Sequence, residues 1–259
     1  MQQDSSAALL TVAYSSLASR VNNIVFPAHR VDVEILVIVQ DPTGESSFLA
    51  PSRNDVRTIQ LDSKGVAKSR NVAIAQAKGK YLIFADDDIE FKVEGLDEVL
   101  THFATCDCSL VLGQAVDEKN RLRKNYPIEI EKLNLFNSAR AATYEMVIDV
   151  EKVRASNLKF DESFGAGVTN YLGDEYIFIA DLLRSGRSAH FLPVTLAVHP
   201  TDSSGSGWGT KRDLKVRSQI FTRVFGWYAP FVRLLFIAKH FKKVDGLGNA
   251  IAFVSGRFR

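Results

Sequence analysis

Tyr81-Leu82-Ile83-Phe84-Ala85-Asp86-Asp87-Asp88-Ile89-Glu90 is the stretch on which the reading of this chain turns. Its opening apolar residues have the length of a buried strand, and three carboxylates follow where that strand would emerge into solvent. Adjacent like charges repel, and a cation relieves the repulsion. A tight group of hard oxygen donors suits Mg²⁺ or Mn²⁺, ions that keep coordination positions open for phosphate oxygens. An acidic surface turn is the plain alternative, and the surrounding sequence weighs against it.

Working outward, strand and helix patterns alternate. Leu9–Ser15 is a short apolar run, followed by helical spacing over Leu17–Phe26. Val33–Val39 is rich in β-branched residues and reads as a strand, as does Val56–Leu61 beyond a turn-rich stretch from Asp41 to Asn54. Val66–Ala77 has helical spacing and Gly79 ends it, just ahead of the acidic strand. Glu94–Thr105 continues as helix, Ser109–Val116 as strand, Asp117–Thr143 as loop with short helix, Tyr144–Val150 as strand, Asp174–Ser185 as amphipathic helix and Ser188–His199 as extended chain. This alternation predicts an α/β fold with a mostly parallel sheet covered on both faces. In such sheets ligands bind beyond the carboxyl ends of the strands, where Asp86–Asp88 would lie.

A chain of 259 residues that is 46% hydrophobic and 24% charged can bury one large core. Its net charge of +2 argues against nucleic acid as a partner. The charge is uneven, because residues 211–259 hold eleven Lys/Arg against Asp213 and Asp245, a net +9. The Ser/Gly-rich stretch from Pro200 to Gly209 separates this basic segment from the rest, giving a body over 1–210 and a basic helical extension over 211–259. Cys106 and Cys108 are too close for an easy disulfide and too few for a zinc site, so reduced thiols are expected. The sequence shows no signal-peptide pattern and no apolar run near the roughly 18 residues of a membrane span, so a cytoplasmic location is expected.

Glycine fingerprints for dinucleotides or nucleoside triphosphates are missing, so a nucleotide would be held by carboxylates, a metal and scattered polar groups. Lys64-Gly65-Val66-Ala67-Lys68-Ser69-Arg70-Asn71 brings base into the helix before the acidic strand; Lys64 and Arg70 could pair with a diphosphate or with the carboxylates themselves. A second acidic pair, Asp174-Glu175, opens a helix after Gly173. Capping explains such residues equally well, but the glycine-rich approach Phe160–Gly167 would let backbone come close to a ligand. A carboxylate presented there could take a proton from a hydroxyl nucleophile.

Leu9-Leu10-Thr11-Val12-Ala13-Tyr14, Lys64–Asn71, Phe84-Ala85-Asp86-Asp87-Asp88 and Gly173-Asp174-Glu175, in that order and at those separations, resemble the family 2 glycosyltransferases of GT-A (Rossmann-like) fold over roughly residues 9–200. The family's acidic motif usually reads Glu-Asp, whereas this chain has Asp174-Glu175. The resemblance implies inverting transfer from a nucleotide-diphosphate sugar, most simply a UDP-sugar, to a hydroxyl of a glycan or lipid-linked acceptor, as in surface polysaccharide assembly. It implies Mn²⁺ or Mg²⁺ on Asp86 and Asp88, with His199 as a further ligand or a structural residue. Donor contacts fall on Ala13, Tyr14, Asp41, Asp62, Lys64, Arg70, Asp86 and Asp87, and the base role on Glu175, or else on Asp174. Arg212 and Arg217 either close onto the diphosphate or form a solvated face.

In the extension, Trp227 and Phe231 interleave with Arg233, Lys239, Lys242 and Lys243. That pattern suits peripheral contact with an anionic membrane surface, or a helix packed on the body with solvated lysines. Two rivals to the enzyme reading are a phosphatase-type hydrolase and a non-catalytic sugar- or membrane-binding relative of the family. A phosphatase of that type carries its Asp-x-Asp on the first core strand, whereas here three strands precede it.

Overall fold

The apolar runs assemble into one nine-stranded sheet in a computed structural model that describes residues 8–41, 43–44, 53–200, 210–241, 244 and 246–258. In chain order the elements are β1 (Leu10–Leu17), β2 (Val33–Gln40), β3 (Val56–Leu61), α1 (Val66–Gln76), β4 (Tyr81–Asp86), β5 (Glu90–Phe91), α2 (Val93–Thr105) and β6 (Leu110–Val116). They continue with β7 (Glu131–Lys132), β8 (Met146–Asp149), α3 (Val150–Ala155), α4 (Asp174–Arg184), β9 (Ala189–Val198), α5 (Lys211–Phe225), α6 (Ala229–His240) and α7 (Gly246–Ser255). The strand order is β3-β2-β1-β4-β8-β6-β9-β5, with β7 added on β9.

The half of the sheet from β3 to β4 is wholly parallel, with Val12 beside Ile35 on one flank and Ile83 on the other. Its inner strands β1, β2 and β4 are buried on both faces, which is why Ile35–Val39 and Tyr81–Ala85 read as continuous apolar runs rather than alternating ones, whereas the edge strand β3 is half-buried. β8 runs antiparallel between β4 and β6, and β9 returns parallel to β6. One apolar layer, including Tyr14, Val37, Ile83, Val99 and Leu196, lies under α2; the other, including Leu36, Leu82, Ile148, Phe160 and Phe178, lies under α1 and α4.

Several local expectations are revised. β1 continues through Ser15 and Ser16 to Leu17 because these residues stay in register with β2, opposite Ile38, Val39 and Gln40. A 3₁₀ turn at Ala18–Asn23 then takes the place of the expected helix. The strand expected over Tyr144–Val150 stops at Asp149, whose carboxylate accepts a hydrogen bond from Lys152 N and caps α3. Cys106 and Cys108 form a disulfide instead of remaining separate thiols. Their Cα atoms are 5.4 Å apart, within ordinary disulfide reach.

Residue 211 marks a change in composition but not the edge of a core. Val216, Ile220 and Val224 of α5 share an apolar cluster with Tyr176, Ile177 and Ala180 of α4, and Arg223 pairs with Asp161 and Asp181. α6 and α7 build a further cluster on the other side of α5 around Leu214, Ile237 and Phe253. The helical stretch Lys211–His240 is long and apolar enough, by length and composition, to cross a membrane, contrary to the expectation from sequence. It is not one rod, however. Gly226 (φ +56°) breaks it, and Arg233 of α6 donates to Ser218 O and to Thr222 Oγ1 of α5, so the chain doubles back.

Candidate active site

The carboxyl-terminal ends of β1 and β4, the start of α1 and the start of α4 surround an open cleft of about 700 Å³. This is the crevice position and the size usual for small-molecule sites in α/β sheets. Two glycine turns let the segments meet. Gly65 (φ +128°) precedes α1, and Gly165 and Gly167 (φ +100° and +93°) precede α4. Val66 N donates to Ala166 O at 2.9 Å, and a Cβ on Gly165 would lie 2.9 Å from the Asp174 carboxylate. Asn71 fastens the loop from the other side, donating to Phe160 O at 3.0 Å and accepting from Phe160 N at 2.7 Å.

Arg70 is the hub of the cleft floor. Its buried guanidinium donates to Asp174 Oδ2, and its second nitrogen lies 3.4 Å from Asp86 Oδ1. Of the alternatives open to it in sequence, Arg70 therefore takes the carboxylates. Burial pushes Asp86 above the usual carboxylate range; Arg70 pulls it back and Asp88 pushes it up again. The Asp86 side chain is still 41% exposed, so that burial reflects protein walls around an open cleft. Asp87 turns aside, accepting from Ser16 Oγ at 2.9 Å and pairing with Arg20 at 2.5 Å. Asp88 stands exposed at the cleft edge.

The two residues of the second acidic motif differ in kind. Asp174 is buried and spent on Arg70, whereas Glu175 is half-buried and faces the cleft without a cationic partner at hydrogen-bonding distance among the described residues. Burial, and then the negative charge of Asp174, push Glu175 from its ordinary 4.5 up to about 8. Gly173 (φ +87°) lets α5 press on this corner, since a Cβ there would lie 2.3 Å from Ile220 Cδ1. Tyr171 donates to Asp213 of α5, and the Arg212 guanidinium lies 4.7 Å above the Tyr171 ring. Arg217 feels Glu175 electrostatically, although burial lowers its own basicity more.

His199 also lines the cleft, packed 4.8 Å from the Tyr144 ring, with Nδ1 2.7 Å from Pro200 O. A carbonyl can only accept, so Nδ1 carries the proton and Nε2 is left as the ligand atom. Lys64 is on the rim.

Four residues expected at the site are elsewhere. Ala13 and Tyr14 are buried in the interior of β1, not in the loop beyond it, and Tyr14 packs edge-on against Phe26. Asp41 is buried at the end of β2, accepting from Gln60 at 3.1 Å, and Asp62 is exposed outside the cleft. Instead Ser15, Leu17, Arg20 and Gln40 line the wall, Gln40 accepting from Gly65 N at 2.8 Å. The signal for Ser15, Leu17 and Arg20 was the true end of β1, two residues further on than its apolar run suggests. The Ser/Gly stretch 201–209 lies outside the described residues.

The family model described as glycosyl transferase family 2 matches residues 10–163, the sheet half and the acidic strand that build this cleft. The chain belongs to that family. Among solved structures, the fold of this glycosyltransferase is similar to S. aureus TarS residues 1–349 in complex with UDP-GlcNAc (15% identity, TM-score 0.60, covering 90% of this chain and 73% of that one). The same TarS fragment with UDP gives 16% identity and a TM-score of 0.58, covering 90% and 72%. S. aureus TarS in a longer form gives 16% and 0.58, with 43% of its length covered. No curated protein matches this chain in sequence. At such identities the likeness shows the GT-A fold alone.

Proposed function

We propose that this glycosyltransferase moves a sugar from a nucleotide-diphosphate donor, most simply a UDP-sugar, to an acceptor hydroxyl with inversion, Glu175 acting as base. The observation that carries the reading is the division of labour in the acidic motif. Asp174 is committed to Arg70, while Glu175 faces the cleft with its carboxyl pushed up to about 8, near the range in which a general base works at neutral pH. A hydroxyl approaching Glu175 would give up its proton as its oxygen attacks the anomeric carbon from the face opposite the diphosphate. One displacement needs one base, unlike the carboxylate pair of most glycoside hydrolases. That UDP-GlcNAc and UDP occupy the similar TarS fold supports a nucleotide-sugar donor.

Asp86 and Asp88, with His199 Nε2, would hold Mn²⁺ or Mg²⁺. The oxygen donors, and the repulsion that Asp88 adds to the burial of Asp86, fit such an ion. Among the described residues, these three do not come together as a ligand group. When bound, the ion supplies positive charge against the diphosphate of the leaving nucleotide. Arg70 keeps Asp86 and Asp174 in place, and Lys64 adds a cation at the rim.

The acceptor in this proposal is lipid-linked, with the enzyme peripheral at the cytoplasmic face of the membrane. What supports it is an exposed apolar row on the doubled-back helices: Trp227, Phe231, Leu234, Leu235, Leu247 and Ile251. Lys239 is exposed beside it, but Arg233 is buried and bonded within the helices, so it drops out of the membrane-facing set. Lys242 and Lys243 lie outside the described residues. Thermal-shift measurements with nucleoside diphosphates and Mn²⁺ test the donor half. A rise in melting temperature for UDP that needs the cation is expected, and indifference to every nucleotide would refute the reading.

A further inference from the structure

At the opposite end of β6 and β9 from His199, the fold collects the two cysteines with two histidines. His102 and Cys106 are four residues apart at the end of α2 and share one face of it. Cys108 follows two residues before β6, and His190 is the second residue of β9, beside Val111 of β6 and Lys132 of β7. One ligating atom from each of the four side chains lies within 4.8 Å of the others, and His102 Nε2 is 3.0 Å from His190 Nδ1. Cys108 is buried and the other three are half-buried, so the group is sheltered yet reachable.

We propose that His102, Cys106, Cys108 and His190 form a four-coordinate zinc site when the two thiols are reduced, separate from the catalytic cleft. Two thiolates and two imidazoles are the donor set of structural zinc, and four protein ligands leave no open position for substrate. In a tetrahedral complex with Zn–N of about 2.0 Å and Zn–S of about 2.3 Å, ligand atoms sit about 3.3–3.8 Å apart. The side chains therefore close on an ion by movements of about an ångström. Two ring nitrogens aimed at each other also need at least one imidazole to be unprotonated, the form that binds metal.

The structure has the two sulfurs joined. A dithiol reductant supplies two electrons and two protons, breaking the S–S bond to give two thiols while the reductant becomes its own disulfide. Zinc then binds the two sulfurs as thiolates and releases both protons to solvent. The site thus exists in two closed forms, a disulfide under oxidising conditions and a zinc clip under reducing ones. In the disulfide form only the contact between His102 and His190 ties the start of β9 to the end of α2, whereas in the zinc form His190 is also joined through the ion to both sulfurs.

The test is zinc content of the full chain after reduction with a phosphine, equilibration with zinc and desalting, alongside the oxidised chain and the variants Cys108→Ser and His190→Gln. One zinc per chain is expected in the reduced wild type, at least tenfold less in the oxidised chain and both variants, and a fall of about 5–10 °C in melting temperature on chelation. Cobalt(II) in place of zinc reports the ligands directly on the wild type, so a variant that fails to fold does not block the test. Tetrahedral visible bands with sulfur-to-cobalt charge transfer are expected. The proposal is overturned if reduced wild type binds no zinc, if cobalt shows no thiolate signature, if the sulfurs resist reduction, or if the variants keep their zinc, which would place it at the acidic cleft.

Discussion

Replacing Glu175 by glutamine separates a catalytic role from a stability cost in a single variant. The folded chain holds the Glu175 carboxyl near 8, against an ordinary value of 4.5, so the folded state binds this proton more tightly than the unfolded state does. The stability of the wild type therefore falls as pH rises from about 4.5 to about 8, while a glutamine is indifferent to pH there. At about 1.4 kcal/mol per pH unit the full interval would correspond to about 5 kcal/mol. Glu175 edges an open cleft, and screening there reduces the gain for Glu175→Gln to about 1–2 kcal/mol at pH 8. For a chain of this size that is an increase in melting temperature of about 3–6 °C at pH 8, vanishing at pH 4.5. Transfer should fall about 10²-fold or more with donor binding little changed. The wild-type kcat/KM should climb with pH through an acid limb that the variant lacks, since only the ionised carboxylate accepts a proton. Melting curves at the two pH values and rates across that range make the test. Loss of transfer without the pH-dependent gain in stability would refute the strained-carboxylate argument. Near-normal transfer, with the loss found in Asp174→Asn instead, would move the base role to Asp174.

Asp88→Ala should leave the fold intact, because Asp88 is exposed and its removal relieves repulsion with Asp86, yet weaken cation-dependent UDP binding about tenfold or more by calorimetry; binding unchanged by both the variant and a chelator would remove the metal from the site. Arg70→Met leaves Asp174 buried without its partner and should cost about 3–5 kcal/mol in denaturant unfolding; a loss below 1 kcal/mol would mean that the pair is not the hub described. Gly173→Ala should cost about 2–4 kcal/mol, from its positive φ and from overlap with Ile220, and Ile220→Ala in the same chain should recover part of that in a double-mutant cycle. Trp227→Ala with Phe231→Ala and Lys239→Glu should abolish co-sedimentation with anionic vesicles; retained binding, or binding blind to lipid charge and salt, would leave α6 as ordinary packing.

The inner strands of the parallel half were legible because they are buried on both faces, so Ile35–Val39 and Tyr81–Ala85 are apolar throughout and are bounded by polar turns. The acidic strand end was legible for the same reason: carboxylates cannot continue a buried strand, so Asp86–Asp88 marks where the chain leaves the sheet. Donor-side residues were harder. Ser15 and Ser16 look like the exit of β1 by composition, but β2 holds them in register to Leu17, which draws Tyr14 into the core and brings Ser15 and Leu17 to the cleft. The tail misled through Arg233, whose charge in an apolar segment suggests a surface and which the structure buries by supplying Ser218 O, Thr222 Oγ1 and Val254 O as acceptors.

Sequence alone determined the α/β alternation, the family, the acidic cluster and the helix-opening Asp174-Glu175, because each is a local pattern set by burial, charge crowding or a short motif. Tertiary structure decided how those pieces divide their work. Arg70 reaches Asp174 across 104 positions of sequence and so leaves Glu175 as the cleft-facing carboxylate, a choice that two adjacent acids cannot reveal. It also gave the two cysteines their neighbours. Cys106 and Cys108 are too few for a metal when read along the chain, but His190, 82 positions after Cys108, joins them with His102 because β9 returns beside β6. Chemistry that needs groups from distant segments becomes visible only when the sheet order brings those segments together.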